Sequence, residues 1–197
     1  MTLKRALDVG VSAAALLASA PVMAAAGAAV KLSSPGPVLF SQTRIGLEGT
    51  PFRIHKFRTM RTDHSGLAVS QSGDARVTAV GRVLRKTKLD ELPQFYDVLR
   101  GAMSLVGPRP EVPEYVAQWP DELRDEILSV RPGITDPASI RFRNEADELA
   151  AAEDPEKHYV EVLLPQKARL YAEYVRHRSF TGDLAILART AVAVLRD

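Results

Sequence analysis

The sequence predicts a mainly helical α+β chain. An apolar N-terminal helix precedes a compact domain that holds a small β-hairpin and amphipathic helices. Three observations predict this. Residues Val9–Val30 form a run of 22 residues without a charge. Two short runs rich in β-branched and aromatic residues, at 38–40 and 52–57, flank a turn holding Gly46 and Gly49. Beyond residue 78, apolar residues recur at helical spacing. With 197 residues, 46% apolar and 25% charged, the chain can bury a sizeable core and is too apolar for wholesale disorder. It has no cysteine, which excludes disulfide frameworks, zinc fingers, iron–sulfur clusters and thiol catalysis. His55, His64, His158 and His177 are scattered, without metal-ligand spacing.

The elements follow in chain order. A straight helix over Val9–Val30 rises about 33 Å, enough to cross a hydrocarbon core. Its residues leave three readings open. One is a secretory signal peptide, with Lys4 and Arg5 in front and Met23-Ala24-Ala25-Ala26 as the cleavage region. The second is a transmembrane anchor. The third is a hairpin that enters and leaves on one side. Pro21 lies near the middle, lacks an N–H and clashes with the Leu17 carbonyl, so it predicts a kink. Ser19 is near enough to re-bond freed backbone groups. Basic residues at both ends (Lys4 and Arg5, then Lys31) disfavour a span, because positive charge stays cytoplasmic. Ser34-Pro35-Gly36-Pro37 is a rigid exit.

Val38-Leu39-Phe40 and Phe52–Phe57 then pair as a hairpin, and residues 63–76 form a polar surface loop. Val80, Val83 and Leu84 mark one helix. Asp90–Arg100 is a second, with Leu92, Phe95 and Leu99 on one face and Gly101 as its stop. Val106–Pro110 is irregular. Asp121–Val130 is a helix stopped by Arg131-Pro132-Gly133, and Pro155–Arg178 is mostly helical, broken or kinked at Pro165. Asp183–Arg196 is a last helix, either core or lying on a bilayer surface.

Charge is segregated along the chain. Residues 44–88 carry ten bases against three acids, whereas 89–197 carry 13 bases against 20 acids. A basic third points to an anionic partner: a phosphate ligand, an anionic lipid or nucleic acid. Nucleic acid finds no further support, because a helix-turn-helix cue, an aromatic-rich basic strand and a zinc finger are all missing. Neither Gly-x-Gly-x-x-Gly nor a Walker lysine loop occurs. Trp119 and the tyrosines read as packing.

The sharpest constellation is Arg85-Lys86-Thr87-Lys88-Leu89-Asp90-Glu91-Leu92-Pro93. Two adjacent carboxylates follow a basic cluster. Neighbours on a helix point about 100° apart, so one carboxylate can attack while the other orients a group or binds metal. A carboxylate is a competent nucleophile towards phosphorus, and nearby Arg and Lys both lower its pKa and hold phosphates. The plain structural alternative is a helix start, with Asp90 as cap, Glu91 favoured by the dipole and Pro93 in the first turn. Lys56 and Arg58 place two cations near a strand end. Pro108 and Pro110 stiffen the backbone around Arg109, so that guanidinium loses little entropy on clamping a phosphate. Arg141, with Arg143, offers a weaker basic pair.

Together these residues resemble the bacterial sugar transferase family, small monotopic phosphoglycosyl transferases acting on polyprenyl phosphate. The resemblance runs through Lys4–Asp8, Ser34–Pro37, Gln42–Gly46, Lys56–Met60, Gly81–Thr87, Leu89–Gln94, Met103–Pro110 and Arg131–Thr135. It implies a re-entrant membrane hairpin over 1–33, broken at Ser19 and Pro21, and a cytosolic catalytic domain over 34–197. It also implies ping-pong chemistry. Asp90 attacks the β-phosphate of a UDP-sugar and expels UMP, and undecaprenyl phosphate then takes the sugar phosphate from Asp90. Glu91 is the second dyad member. Asp90 and Glu91 are also the metal-binding positions, with Mg2+ as cofactor. Lys56, Arg58, Arg85, Arg109 and Arg141 bind phosphate oxygens. The implied place is the cytosolic face of the bacterial inner membrane, in contact with its lipid and without nucleic acid, at the first membrane step of a glycoconjugate or exopolysaccharide pathway.

The sequence departs from the family pattern at Ala20 before Pro21, and at Lys88, Ala102 and Asp136. A different class also stands: a secreted or periplasmic binding module whose first 26 residues are a cleaved signal. A third reading is a basic peripheral protein that binds anionic lipid without catalysis.

Overall fold

The structure is a computed structural model that describes residues 2–62 and 71–195. Most of the expected polar loop at 63–76, and the last residue of the expected final helix, lie outside the described residues. The fold is mainly helical α+β with two small sheets.

Helix α1 (Leu3–Ser33) starts at Thr2, whose hydroxyl accepts from the Arg5 N–H. Its alanine-rich sequence is a strong helix former. Helical structure continues through Pro21, so the expected break does not divide the helix into two elements. The Ser19 hydroxyl donates to the Ala15 carbonyl at 2.6 Å. It therefore does not serve Leu17, the carbonyl that Pro21 leaves unpaired. A helical serine reaches back three or four residues, not two.

Both flanks of α1 grip the domain. Asp8 accepts from the Leu105 N–H (3.0 Å) and the Ser104 hydroxyl (3.1 Å). Arg5 donates to the Val98 and Leu99 carbonyls, and Lys4 to the Val106 carbonyl and Asp183. At the other flank, Ala26 and Val30 pack with Phe57 and Leu84. Between the flanks the helix is largely bare, and Leu17 is 79% exposed.

Strand β1 (Leu39–Ile45) pairs antiparallel with β2 (Pro51–Phe57), with Leu39 opposite Phe57 and a 3-10 turn at Leu47–Gly49 between them. Helix α2 (Ala79–Lys86) is capped by Thr78, whose hydroxyl accepts from the Gly81 N–H. It lies so close to β2's continuation that a Cβ on Gly81 would stand 2.1 Å from the Thr59 carbonyl oxygen; only glycine fits there.

The expected single helix over 90–100 is two elements: a 3-10 turn at Leu89–Glu91 and α3 (Gln94–Leu99). Pro93 is the reason. It cannot donate to the Leu89 carbonyl, and Leu92 takes that carbonyl in the tighter 3-10 pattern. Gly101, at φ +89, ends α3 as expected.

The sequence gives no sign of the second sheet. Strand β3 (Ser104–Val106) runs parallel to β4 (Gly133–Thr135). Helices α4 (Pro113–Val116) and α5 (Asp121–Leu128) make the crossover that a parallel pair requires. Short helices α6 (Pro137–Arg141), α7 (Glu145–Ala151) and α8 (Pro155–His158) follow. A π-helical turn at Tyr159–Leu163 leads into α9 (Leu164–His177), and α10 (Phe180–Leu195) closes the described chain. The irregularity expected at Pro165 takes the form of that π turn, in which the Leu164 N–H bonds the Tyr159 carbonyl.

The largest core gathers Val112, Tyr115, Trp119, Ile127, Leu149, Leu163, Leu164 and Tyr171. Trp119 is thus packing, as its sequence context indicated. A second core gathers Ile54, Val98, Met103, Leu105, Val106 and Tyr174, while Leu89 seats the turn that carries the carboxylates against Ala26, Val30, Phe57 and Leu84.

Candidate active site

The paired carboxylates occupy one turn and have opposite environments. Lys88 precedes them in the left-handed region, at φ 57. On a 3-10 turn, successive side chains diverge by about 120°, so Asp90 and Glu91 leave the backbone in different directions.

Glu91 is clamped. Its Oε1 accepts from Lys56 Nζ at 2.8 Å and from Arg109 at 2.6 Å. Burial alone would raise the Glu91 carboxyl, but the Arg109 and Lys56 cations hold it well below the usual range. In return Glu91 raises the Arg109 guanidinium, while burial lowers Lys56 despite Glu91.

Asp90 is open. It is 8% exposed, and among the described residues no hydrogen bond or ion pair ends on its carboxylate. Burial raises its pKa first and the Glu91 charge second, against the pull of Lys56, Arg85 and Lys88. A buried carboxylate with nearby cations and no partner is a group held ready for an incoming ligand.

The cations are delivered by separate elements. Lys56 comes from β2. Arg85 comes from α2, where its Nε donates to the Thr59 hydroxyl at 2.8 Å. Arg109 comes from the loop after β3, and that loop is pinned on both sides. The Pro108 carbonyl accepts from the Gly133 N–H at 2.9 Å, and the Pro110 carbonyl accepts from Arg44 at 3.3 Å. At Gly133 a Cβ would stand 2.1 Å from the Gly107 nitrogen, so glycine permits the close approach of the two strands. Glu111 adds further hold: its carbonyl accepts from the Ile45 N–H, and its carboxylate from Arg44 and the Tyr159 hydroxyl.

Two expected phosphate ligands are placed elsewhere. Arg58 is 4% exposed and turns its guanidinium towards the exit of α1. It donates to the Pro37, Pro35, Ser34 and Val30 carbonyls and to the Ser34 hydroxyl. With its donors spent on these acceptors, it is a clasp between the end of β2 and α1 and not a free phosphate ligand. Arg58→Met is expected to cost about 2–5 kcal/mol of stability, read by thermal unfolding, with donor KM unchanged in the protein that still folds. Arg141 is exposed at the end of α6 and lies 5.7 Å from the Phe142 ring; no described contact joins it to the carboxylate turn.

Sequence reasoning missed several contributors. Asp97 is fully buried and accepts from the His55 N–H (2.9 Å), bonds His55 Nδ1 (2.7 Å) and accepts from Arg100 (3.1 Å), tying α3 to β2 beside Lys56. Its place seven residues after Asp90, on the same helical face, was the available signal. Thr59 and Arg44 act only through distant residues and left no local trace. Asp136, one of the departures from the family pattern, caps α6 by accepting from the Ala138 and Ser139 N–H groups.

No cluster of three or more His, Cys, Asp or Glu side chains gathers among the described residues. What is present is one open carboxylate and, on Glu91, an Oε2 that no described residue bonds. That sparse oxygen set suits magnesium, which binds through one or two carboxylates, keeps waters and takes its other oxygens from substrate phosphates.

The bacterial sugar transferase profile matches residues 1–197. The UDP-glucose:undecaprenyl-phosphate glucose-1-phosphate transferase of Escherichia coli (strain K12) is 41% identical over 193 residues, covering 95% of this chain and 39% of the relative. Its namesake in Caulobacter vibrioides is 40% identical over 205 residues, covering 98% and 69%. The exopolysaccharide production protein PSS of Rhizobium leguminosarum bv. phaseoli is 37% identical over 215 residues, covering 99% and 96%. The chain thus spans about two fifths of the length of the Escherichia coli relative and nearly all of the Rhizobium one. On this match across its whole length, the chain belongs to the bacterial sugar transferase family.

Proposed function

We propose that the chain transfers a sugar 1-phosphate from a UDP-sugar to undecaprenyl phosphate through a covalent intermediate on Asp90. The observation that carries this reading is the contrast within the dyad: Glu91 clamped by Lys56 and Arg109, Asp90 without a partner among the described residues. The names of the relatives add the substrate class, a UDP-sugar with undecaprenyl phosphate.

In the first half-reaction an Asp90 oxygen attacks the β-phosphorus. An acyl–phosphate bond forms, the bond from that phosphorus to the bridging oxygen breaks, and UMP leaves with the electron pair. In the second, a phosphate oxygen of the lipid attacks the same phosphorus and returns Asp90 as a carboxylate. Glu91 keeps Lys56 and Arg109 in place, so that their charge meets the phosphoryl oxygens without reorganisation. Arg85, held by Thr59, adds charge on the Asp90 side. Asp90 and Glu91 would hold Mg2+, which would neutralise diphosphate charge.

The same reading takes α1, helical throughout, as a re-entrant membrane helix over 1–33 that bends at Pro21 without dividing, with 34–197 as the catalytic domain on the cytosolic face of the inner membrane. Its support is that both flanks of the helix hold one domain while the apolar middle stays bare. A helix crossing a bilayer puts its ends on opposite faces. Arg5 and Asp8 bond buried backbone of α3 and β3, so retention of the N-terminus is favoured over signal cleavage.

A panel of UDP-glucose, UDP-galactose and the N-acetylated UDP-amino sugars tests the reading. With undecaprenyl phosphate and Mg2+, at least one donor is expected to release UMP, and chelation with EDTA is expected to stop release. Silence with every donor would remove the transferase reading.

A further inference from the structure

Gln94 stands out among the buried side chains. It is 1% exposed, and among the described residues its amide nitrogen has no hydrogen-bond partner. A buried amide donor left unpaired costs stability, and native proteins keep few of them. This one opens α3, immediately after the carboxylate turn. Asp90 lies four residues back and Glu91 three back. The Phe95 and Tyr96 N–H groups still bond three residues back, so the 3-10 pattern of the carboxylate turn runs into the start of α3 and Gln94 stands over Glu91, three residues before it. Among the described residues its amide nitrogen bonds neither carboxylate. Asp97, the next residue on that face, has its carboxylate occupied by His55 and Arg100.

We propose that Gln94 is a substrate-binding residue whose side-chain amide donates to a phosphoryl oxygen held at the dyad. The inference rests on the reading of Asp90 as nucleophile. The oxygen has two sources that share one chemistry, the transferring phosphoryl group of the nucleotide sugar or the phosphate head of the lipid. Gln94 is neutral, so it offers direction without further charge, where Lys56 and Arg109 already crowd one carboxylate.

Gln94→Met tests this in the full-length chain. Methionine has a similar length and no polar atom to strand. Because the donor has no partner in the free protein, the variant is expected to unfold no earlier than the parent. Its rate is expected to fall about 10- to 100-fold, the loss of one hydrogen bond to a charged oxygen. Two arms locate that oxygen. Loss in single-turnover UMP release, without lipid acceptor, assigns it to the nucleotide sugar. Loss only in transfer from preloaded enzyme to undecaprenyl phosphate assigns it to the lipid. Parent rates in both arms overturn the proposal, and so does a lower unfolding temperature with parent rates in the folded fraction. The latter would give the amide a packing role against α1, where Ser12 Oγ is also buried without a partner among the described residues. Should Gln94→Met fail to fold, Gln94→Glu keeps the shape, replaces the donor with an acceptor, and carries the same expectation. Asp90→Asn run alongside separates the two claims. UMP release that survives in Asp90→Asn sinks the nucleophile itself. A dead Asp90→Asn beside a fully active Gln94→Met sinks only the role of Gln94.

Discussion

Asp90→Asn is expected to abolish UMP release and lipid transfer together, by about 10^4-fold or more, while making the protein more stable. The two effects share a cause. Burial and the Glu91 charge raise the Asp90 carboxyl in the folded chain. Folding therefore favours its neutral form, and the stability this gives is present below the unfolded pKa and lost as pH rises through the folded one. At neutral pH the fold bears an ionised, unpartnered carboxylate, a cost that the amide removes. The matching measurements are UMP release and thermal unfolding at pH 7. A dead variant with a raised unfolding temperature separates loss of the nucleophile from loss of the fold. Activity within tenfold of the parent would exclude Asp90 as the attacking group.

Glu91→Gln is expected to act quite differently. It strips the shared counterion from two cations that stand against each other, Lys56 and Arg109. Lys56 and Arg109 keep 19% and 31% of their side chains exposed, so leaving them unpaired costs less than the roughly 3–5 kcal/mol of a fully buried pair, and this variant is expected to unfold earlier than the parent. Lys56, already lowered by burial, falls further without Glu91. With its cations displaced, the rate of UMP release is expected to drop about 10^2- to 10^3-fold. The pH profile carries the sharper sign. Asp90 attacks only when ionised, so the rate falls as pH drops through its pKa. Glu91 pushes that pKa up, while Lys56, Arg85 and Lys88 pull it down. Removing Glu91's charge therefore moves the acid limb of single-turnover UMP release to lower pH. A limb that moves upward would mean that Glu91 does not act on Asp90 through charge.

Local chemistry was legible in the sequence wherever a short stretch decides it. Gly46 and Gly49 mark the β1–β2 hairpin because a turn needs them, and Gly101 ends α3 for the same reason. Asp90 and Glu91 announce themselves as a pair behind a basic cluster. Pro93 is equally visible in the sequence, but the tight turn it imposes is not. It tightens the carboxylate turn to 3-10 geometry and so lets one carboxylate be clamped while the other stays open.

What stayed hidden depends on long-range contacts. β3 and β4 are three residues each, too short for any periodicity, and their pairing rests on the approach of Gly107 to Gly133. Arg58 and Lys56 stand two apart in the same motif, but one meets Glu91 and the other meets five acceptors at the end of α1. Nothing local distinguishes them. Ser19 had the right chemistry to mend a proline break and the wrong offset to reach Leu17.

The most direct measurement concerns the covalent species. Incubate the full-length protein with its UDP-sugar and Mg2+ but no lipid acceptor, quench in acid, digest with trypsin, and analyse the peptide Leu89–Arg100 by mass spectrometry. The account predicts that this peptide gains one sugar phosphate less water, with fragmentation placing the increment on Asp90, and that undecaprenyl phosphate added before the quench removes it. An unmodified Leu89–Arg100 peptide alongside stoichiometric UMP release, or an increment on any other residue, would contradict it.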